Sequence, residues 1–397
     1  YYNYKSSLKR MSKMINILLL ITCLVTISTG HKNNDMPVGL KEEDLELERQ
    51  LSILNKSPIK SIHTKSGYIV DCIDINKQPA FDHPLLKNHK LQKKPIFERN
   101  ITEKRVQNSS INLKFVFEKF RCPQRTVPIR RTTKNDLIQG KSLFKAHNVT
   151  QNGSINHFAR VYLTHAGAPY YGASGITSVW NPKIYKGQSS SGSLYVQNGE
   201  GDIINKISLG WHVSPQLYND DQTHLYFFWA SGKEGCFNMF CKGFVQVDQS
   251  YHFGARISKT STYGGKIIEL PLKISRDNVG NWWLKVGDKD LGYFPAALFP
   301  RLSTRADQVG WGGYTVTPAG TTSPAMGSGY IPDNDATHAS YFKFVKYLEI
   351  VGMEFDPLPF MVASYNDAPN CYGLTNYKDT KKDFGYSLQF GGPGGNC

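Results

Sequence analysis

The sequence from about residue 150 to the C terminus is a series of short β-type segments, and this pattern constrains the fold more than any other feature. The segments are rich in Tyr, Phe, Val and Ile, are separated by Gly, Pro, Asn and Asp, and show almost no helical periodicity. They comprise Phe158–Thr164, Gly192–Gln197, Ile203–His212, His224–Ala230, Gly243–Val247, Ile267–Ile274, Trp282–Val286 and Tyr341–Ile350. Many strands without intervening helices predict an antiparallel sandwich or barrel. About 250 residues favour a large two-sheet β-sandwich over a small barrel.

The N-terminal 30 residues have the features of a secretory signal. An apolar run, Ile15–Ile27, follows Lys9, Arg10 and Lys13 and ends in the small residues Ser28-Thr29-Gly30. This run is shorter than a comfortable membrane span. The first residue is Tyr, so we expect translation to start at Met11 or Met14. We therefore predict residues 1–30 to be upstream residues and a signal peptide, and the remaining chain to be secreted and free of the membrane.

The cysteines and sequons agree with secretion. Apart from Cys23 in the signal, six cysteines remain, an even number that suits disulfides in an oxidising compartment. Proximity favours Cys236–Cys241 and Cys371–Cys397, which leaves Cys72–Cys122, although the sequence alone does not fix the pairing. None forms a C-x2-C pair, so we expect no metal site and no cofactor. Glycosylation sequons begin at Asn100, Asn108, Asn148 and Asn152.

The positive charge is concentrated in the N-terminal third. Residues 1–131 carry 24 Lys and Arg against 12 Asp and Glu, whereas residues 132–397 carry 23 against 20. Nucleic-acid binding needs a basic patch on a folded face, so we do not expect a nucleic-acid partner. Upstream of the β-rich region we expect one amphipathic helix, Glu42–Asn55, and one strand, Tyr68–Ile75. The pair Arg130-Arg131 is a candidate processing site, with an uncut loop as the alternative.

Several motifs carry a resemblance to a known family. In the N-terminal region it rests on residues 66–89, including Asp82-His83-Pro84, and on Cys122-Pro123-Gln124-Arg125-Thr126-Val127-Pro128. In the main domain it rests on Gly210-Trp211-His212-Val213-Ser214-Pro215, Gly235-Cys236-Phe237-Asn238 and Trp311-Gly312-Gly313. These closely resemble the neprosin family of plant secreted proteins, which includes glutamic endopeptidases that cut at proline. The resemblance implies an activation peptide at 31–131, small and α+β, an all-β domain at 132–397, the same three disulfides, and delivery to the apoplast.

The resemblance also implies two catalytic glutamates, and both positions differ in this chain. One lies three residues before Trp211 and is Ser208, while the other directly follows Trp-Gly-Gly and is Tyr314. A serine hydroxyl is not appreciably basic, and a tyrosine has a pKa near ~10. Neither replaces a carboxylate that activates water. We therefore expect a protein with a peptidase scaffold that has lost hydrolysis and retains a polar, aromatic cleft.

The same residues allow other interpretations of the site and of its ligand. A displaced acid could restore peptidase activity, and Glu200 is the glutamate to test among the five in residues 132–397. Ser208 and His212 are too far apart along one strand, about 13 Å, for a serine mechanism. Trp211, His212 and Trp311 are candidates for the cleft lining, where an aromatic groove would suit a proline-rich peptide, with sandwich core as the other interpretation of both tryptophans. A cell-wall polysaccharide is the other candidate partner.

Overall fold

A computed structural model describes residues 38–97, 116–148, 154–164, 169–378 and 383–397, without the side chains of 38–41 and 148. The predicted signal and the sequons at Asn100, Asn108 and Asn152 lie outside these residues, as does the side chain of Asn148. The chain divides into two units, Tyr1–Arg49 and Gln50–Cys397. The first helix, α1 (Val38–Leu54), confirms the expected helix and contains the boundary between the units. Within the described residues, no helix combines the length and apolar character needed to cross a bilayer.

The N-terminal part of the second unit forms a small antiparallel sheet. Its strands are β1 (Lys60–His63), β2 (Ile69–Asp74) and β3 (Thr126–Arg130), with β2 in the centre. The expected strand at Tyr68–Ile75 is therefore confirmed. Arg131, directly after β3, donates two hydrogen bonds of 2.7 Å to the carboxylate of Asp71 on β2. The candidate processing pair thus lies at the end of a paired strand, with Arg130 only 8% exposed.

The rest of the second unit is an antiparallel sandwich of two large sheets, as the strand pattern predicts. One sheet has seven strands, which are β4 (Ser154–Leu163), β6 (Ser189–Asn198), β7 (Asn205–Val213), β8 (Thr223–Ser231), β9 (Glu234–Phe237), β14 (Gln308–Pro318) and β17 (Val362–Asn366). Their order across the seven-stranded sheet is β17-β4-β14-β6-β7-β8-β9. The other sheet has nine strands, which are β5 (Gly172–Ser178), β10 (Val245–Gln246), β11 (Glu269–Arg276), β12 (Trp282–Val286), β13 (Lys289–Phe294), β15 (Ser340–Ile350), β16 (Met353–Phe355), β18 (Gly373–Lys378) and β19 (Ser387–Gly391). Their order across the nine-stranded sheet is β10-β13-β12-β11-β5-β15-β19-β18, and β16 pairs with β15 at its side.

Two tryptophans of the seven-stranded sheet join it to the other sheet. The indole N–H of Trp211 donates to the backbone oxygen of Ser178, and that of Trp311 donates to the backbone oxygen of Ser174, both at 3.0 Å. Both acceptors lie on β5, and the two tryptophans are 0% and 1% exposed. An indole N–H needs a partner when it is buried, and these bonds supply one. Trp211 and Trp311 therefore belong to the sandwich core, not to a cleft.

Residues of the N-terminal region cover the nine-stranded sheet around β12 and β13. Trp283 and Tyr293 are fully buried against Ala80 and Val245, with Leu91 packed on the same cluster. Neighbouring strand residues point to opposite faces, so one residue of the Trp282-Trp283 pair would reach the surface if the sheet were uncovered. Both are 0% exposed, because Ala80, Phe81 and Leu91 pack around Trp283.

A buried carboxylate joins the same two regions. Asp277 accepts hydrogen bonds from the side chain of Gln92 at 2.5 Å, from the indole of Trp283 at 2.9 Å and from the backbone N–H of Gly280 at 3.0 Å. Asp277 is 0% exposed, so these donors replace the water that the carboxylate loses on burial. The segment around Gln92 is thereby fixed to the main domain.

The three disulfides are those that proximity and the resemblance indicated. They join Cys72 to Cys122, Cys236 to Cys241 and Cys371 to Cys397, with Cα–Cα distances of 5.5, 6.0 and 5.8 Å. The first closes a loop of 50 residues. Long loops lose the most conformational entropy on cross-linking, so this bond is the one expected to stabilise the fold most.

Candidate functional site

The two family positions lie on one face of the seven-stranded sheet. Ser208 on β7 pairs with Tyr195 of β6, and Tyr314 on β14 pairs with Ser191 of β6. Side chains of a strand alternate between faces, so Ser191 and Tyr195, four residues apart, point the same way, and so do their partners. Ser208 is 5% exposed and Tyr314 is 9% exposed. The fold thus brings together the two positions that the resemblance indicated.

Ser208 and Tyr314 line a single cavity with a water-accessible volume of about 30 Å³. Its other lining residues are His147, Phe158, Arg160, Ser193, Tyr195, Lys206, Tyr226, Gly312 and Gly313. This volume has space for about two water molecules. Pockets for drug-sized ligands are roughly 300 to 1,000 Å³, so the cavity has room for a small chemical group and not for a peptide chain.

Aromatic rings form the wall around Tyr314. Its ring centroid lies 4.4 Å from that of His147 and 4.8 Å from that of Phe158. Burial, followed by the proximity of Tyr226, raises the pKa of Tyr314 well above its ordinary value. The phenol therefore stays protonated and can donate a hydrogen bond. Its oxygen is buried and has no hydrogen-bond partner within the described part of the chain.

Two basic side chains that were not predicted from the sequence line the cavity. The ammonium of Lys206 lies 4.3 Å from the ring centroid of Tyr195, and the guanidinium of Arg160 lies 5.6 Å from the same centroid. Arg160 also faces the ring of Phe158 at 4.7 Å. Burial, with a smaller contribution from Arg160, lowers the pKa of Lys206 to about 7. Lys206 lies two residues before Ser208 on β7, and side chains at this spacing share a face of the sheet, so its position was predictable from the sequence. The position of Arg160 in the same cavity depends on strand pairing and was not predictable in this way.

A close approach of two strands brings Arg160 to this position. Gly312 on β14 pairs with Arg160 on β4. Gly312 has a φ of 153°, and a Cβ there would lie 2.3 Å from the backbone oxygen of Ala159 and 2.6 Å from the Cα of Arg160. A side chain is therefore excluded at Gly312, and the space above it remains part of the cavity.

Carboxylates are absent from the cavity lining among the described residues. Glu200, the acid singled out from the sequence, is exposed in front of a short 3-10 turn at Gly201–Ile203 and does not line the cavity. None of the other four glutamates of the main domain lines it either. The nearest approach to a base is therefore an amine or an imidazole, not a carboxylate.

His212 lies on the same sheet face but outside the cavity lining. Its Nδ1 is 3.2 Å from the hydroxyl of Tyr218, and the residue is 3% exposed. Burial, with a smaller contribution from His224, lowers the pKa of His212 to about 3. The four cleft candidates from the sequence, which are Trp211, His212, Trp311 and Glu200, are thus all placed elsewhere.

A helix that was not predicted from the sequence forms one side of the cavity. Helix α2 (Lys134–Asn148) carries His147 in its last turn. Its start is fixed by Asp136, which accepts a 2.7 Å hydrogen bond from the backbone N–H of Thr133, while the Thr133 hydroxyl accepts one of 3.1 Å from the N–H of Asp136. This reciprocal capping is readable in the sequence as Thr-x-x-Asp before an apolar pattern. The imidazole of His147 stays neutral, because burial above all holds its pKa well below the ordinary value.

Two ranges of the chain match known protein-family models. Residues 186–393 match the family model described as Neprosin, and residues 61–167 match the model described as Neprosin activation peptide. The second match includes α2 and extends beyond residue 131, the boundary expected from the sequence, which itself stays a prediction.

Two solved structures are similar at a low level. One is scytalido-glutamic peptidase with a transition state analog inhibitor, at 7% identity, 60% coverage of this chain, 98% of that chain and a TM-score of 0.34. The other is SCP-B, a member of the Eqolisin family of peptidases, in a complex with the tripeptide Ala-Ile-His, at 7% identity, the same coverages and a TM-score of 0.32. Scores at this level support no inference about activity. The Neprosin model alone spans more than half of the 397 residues, and the chain belongs to the neprosin family.

Proposed function

We propose that this protein is a secreted, non-hydrolytic member of the neprosin family that binds a ligand in place of cleaving a peptide. The observation that carries the proposal is the composition of the cavity at Ser208 and Tyr314. Two basic side chains, Arg160 and Lys206, enter it, and no carboxylate lines it among the described residues. A glutamic peptidase needs a carboxylate as the base that activates water.

The other titratable groups of the cavity do not replace that base in an acidic fluid. The pKa of His147 is held well below its ordinary value, so its imidazole is a weak base. Lys206, with a pKa of about 7, is protonated at acid pH and has no lone pair to accept a proton. At pH 8 its amine is neutral, but no hydrogen bond within the described residues joins it to Ser208.

The decisive experiment is hydrolysis of a proline-containing peptide by the purified protein at pH 4 to 5 and again at pH 8. Because α2 forms one side of the cavity, the assay is run on the full chain and on a sample nicked by limited proteolysis. We expect no turnover above the blank in any arm. Peptidase-level turnover at acid pH would overturn the proposal and favour a displaced acid, with Glu200→Gln as the variant to identify it. Turnover only at pH 8 that Lys206→Met abolishes would implicate the amine as the base.

A repair experiment tests whether the remaining site is intact. The double substitution Ser208→Glu plus Tyr314→Glu restores both family carboxylates to the cavity lining. We expect measurable hydrolysis at acid pH from the double variant and none from either single variant, because the two roles need two groups. A folded double variant without any activity would mean that other parts of the cleft have changed as well.

One surface feature favours a second candidate, binding to a cell-wall polysaccharide. The rings of Tyr263 and Tyr330 lie 4.1 Å apart and are 44% and 51% exposed, and the imidazole of His338 stacks on Tyr263 at 4.3 Å. Exposed aromatic rings beside polar groups suit the apolar faces of sugars. Retention on pectin or glucan at moderate salt, lost in Tyr263→Ala plus Tyr330→Ala, would support this candidate. Equal retention of the original protein and the double variant, or no retention of the original protein, would exclude this candidate.

Secretion and glycosylation belong to the same proposal. Expression of residues 1–397 in a plant cell should place the protein in the culture medium, with a mass that falls on enzymatic removal of N-glycans. Retention inside the cell, or an unchanged mass, would contradict that part.

A further inference from the structure

We propose that the cavity at Ser208 and Tyr314 is a receptor for a single carboxylate group, held between Lys206 and Arg160. The inference rests on the proposed loss of hydrolysis and names the ligand chemistry of the same site. A peptidase of this kind would need carboxylates at this site, but the site contains two cations. A carboxylate group of a ligand would therefore be complementary in charge to the site.

The two cations have no anionic partner within the described residues. Lys206 and Arg160 both rest on the face of Tyr195, at 4.3 and 5.6 Å from the ring centroid. Arg160 is also close to the ring of Tyr365, at 5.4 Å. The Nε of Arg160 is buried without a hydrogen-bond partner. Ring faces hold a cation in place but leave its N–H donors unused, so these donors remain for a ligand.

Neutral donors complete the lining. The hydroxyl of Tyr314 is buried without a partner in the described part of the chain, and Ser208 lines the same cavity. A carboxylate has two oxygens with about four lone-pair positions, so it can accept from both cations and from a hydroxyl at once. Hydrogen bonds of this charged kind are about twice as strong as neutral ones.

The size of the cavity selects the ligand. About 30 Å³ of water-accessible volume holds about two waters, close to the space of one carboxylate group. The rings of Tyr314, Phe158 and His147 restrict it on one side. Formate therefore matches this volume best, and the larger acetate and sulfate ions would extend beyond it.

The electrostatics of Lys206 agree with this geometry. The titratable groups that line the cavity with it are Arg160 on β4, Tyr195 on β6, Tyr314 on β14, Tyr226 on β8 and His147 on α2. Burial and Arg160 lower the pKa of Lys206 to about 7. An anion between the two cations offsets their repulsion and raises that pKa. Binding should therefore take up a proton near pH 8 and strengthen as the pH falls through 7.

The experiment measures the thermal midpoint and the binding isotherm of the full chain with sodium formate at constant ionic strength, with sodium chloride as the reference salt. We expect a saturable rise in the midpoint with formate, a smaller one with acetate and none with sulfate. Lys206→Met should weaken formate binding at least about tenfold, since it removes a charged donor. The matched control is Lys233→Met, because Lys233 is 82% exposed on the surface, and it should leave formate binding unchanged.

A second variant keeps the test valid if Lys206→Met does not fold. Ser208→Glu supplies an internal carboxylate, two residues from Lys206 on the same strand face, and should raise the midpoint above that of Ser208→Gln while abolishing the response to formate. Equal formate responses in the original protein and in the Lys206 variant, or no preference for formate over sulfate, would overturn the inference. A lower midpoint for Ser208→Glu than for Ser208→Gln would do so as well.

The source of the carboxylate is resolved by a second arm. A short proline-containing peptide with a free C-terminal carboxylate is compared with its C-terminal amide, on the full chain and on the nicked sample. Competition of the acid, but not the amide, with formate would identify a peptide C terminus, whereas formate binding without competition would identify a free small acid. Loss of anion binding leaves the proposed lack of hydrolysis untouched, and hydrolysis of a proline peptide would refute that proposal independently of formate.

Discussion

The imidazole of His147 packs edge-on against the ring of Tyr314, with their centroids 4.4 Å apart. One ring belongs to helix α2 and the other to the central part of the seven-stranded sheet. Both residues line the cavity that contains Ser208, and the ring of Phe228 also packs on His147, at a centroid distance of 4.1 Å. An aromatic pair therefore occupies the space where the family resemblance implies a catalytic glutamate.

The hydroxyl of Tyr314 should contribute nothing to stability. It is buried without a hydrogen-bond partner in the described structure, so Tyr314→Phe removes an unsatisfied group and should leave the free energy of unfolding unchanged or raise it by about 1 kcal/mol. The control is Tyr372→Phe, because the hydroxyl of Tyr372 donates to the backbone oxygen of Pro324 at 2.8 Å. That variant should lose about 1 kcal/mol in urea unfolding. A loss in Tyr314→Phe as large as in the control would contradict the prediction.

Lys206 should make the protein more stable as the pH rises from about 7 towards 9.5. Its folded pKa of about 7 lies below the unfolded value of 10.5, so the unfolded chain binds more protons in this window. The free energy of unfolding then increases with pH, by up to about 1.4 kcal/mol per unit. Above pH 10 the raised pKa values of buried tyrosines such as Tyr195 act in the opposite direction.

Urea unfolding of the original protein and of Lys206→Met between pH 7 and 9.5 measures this slope. The difference in slope belongs to Lys206, and Lys233→Met should retain the slope of the original protein. Parallel curves for the original protein and Lys206→Met would show that Lys206 titrates normally.

Substitution of the buried carboxylate of Asp277 should lower the free energy of unfolding strongly. Asp277→Asn weakens the hydrogen bonds from Gln92, Trp283 and the loop N–H groups, and we expect a loss of about 2 to 4 kcal/mol. Asp288→Asn is the control, because the side chain of Asp288 is 67% exposed beside Lys289 and should change stability by less than about 0.5 kcal/mol. Similar losses in the two variants would argue against a special role for Asp277.

The bond after Arg131 should resist trypsin while the small N-terminal sheet is intact. The guanidinium of Arg131 is bound by Asp71, and Arg130 pairs with Asp136 at 3.2 Å. Nicking favours exposed loop tips over paired strands. We expect Asp71→Asn to increase cleavage at Arg130-Arg131 several-fold, measured by mass spectrometry of the fragments, with Asp74→Asn unchanged. Rapid cleavage of the original folded protein at this pair would support the processing interpretation directly.

Local sequence information determined much of the fold. Segments rich in Tyr, Phe, Val and Ile between turn residues predicted eight strands of the sandwich, whereas β5 and β14 were not among them. Proximity along the chain and the family resemblance together indicated the disulfides, and the resemblance located Ser208 and Tyr314 by their distance to Trp211 and Trp311. Helix α2 was missed although its Thr133–Asp136 cap is local, because its apolar pattern is weak.

The composition of the site was decided by the tertiary structure. Trp211 and Trp311 sit beside the family positions in the sequence, yet strand alternation points them into the sandwich core. Arg160 and His147 are distant in sequence from Ser208, and only the pairing of β4 with β14 and the packing of α2 bring them to it. Pairing register and helix docking depend on contacts between residues far apart in the chain, which no local pattern encodes. The family resemblance therefore located the two positions in the sequence, and the fold decided that two cations and several aromatic rings line the cavity around them.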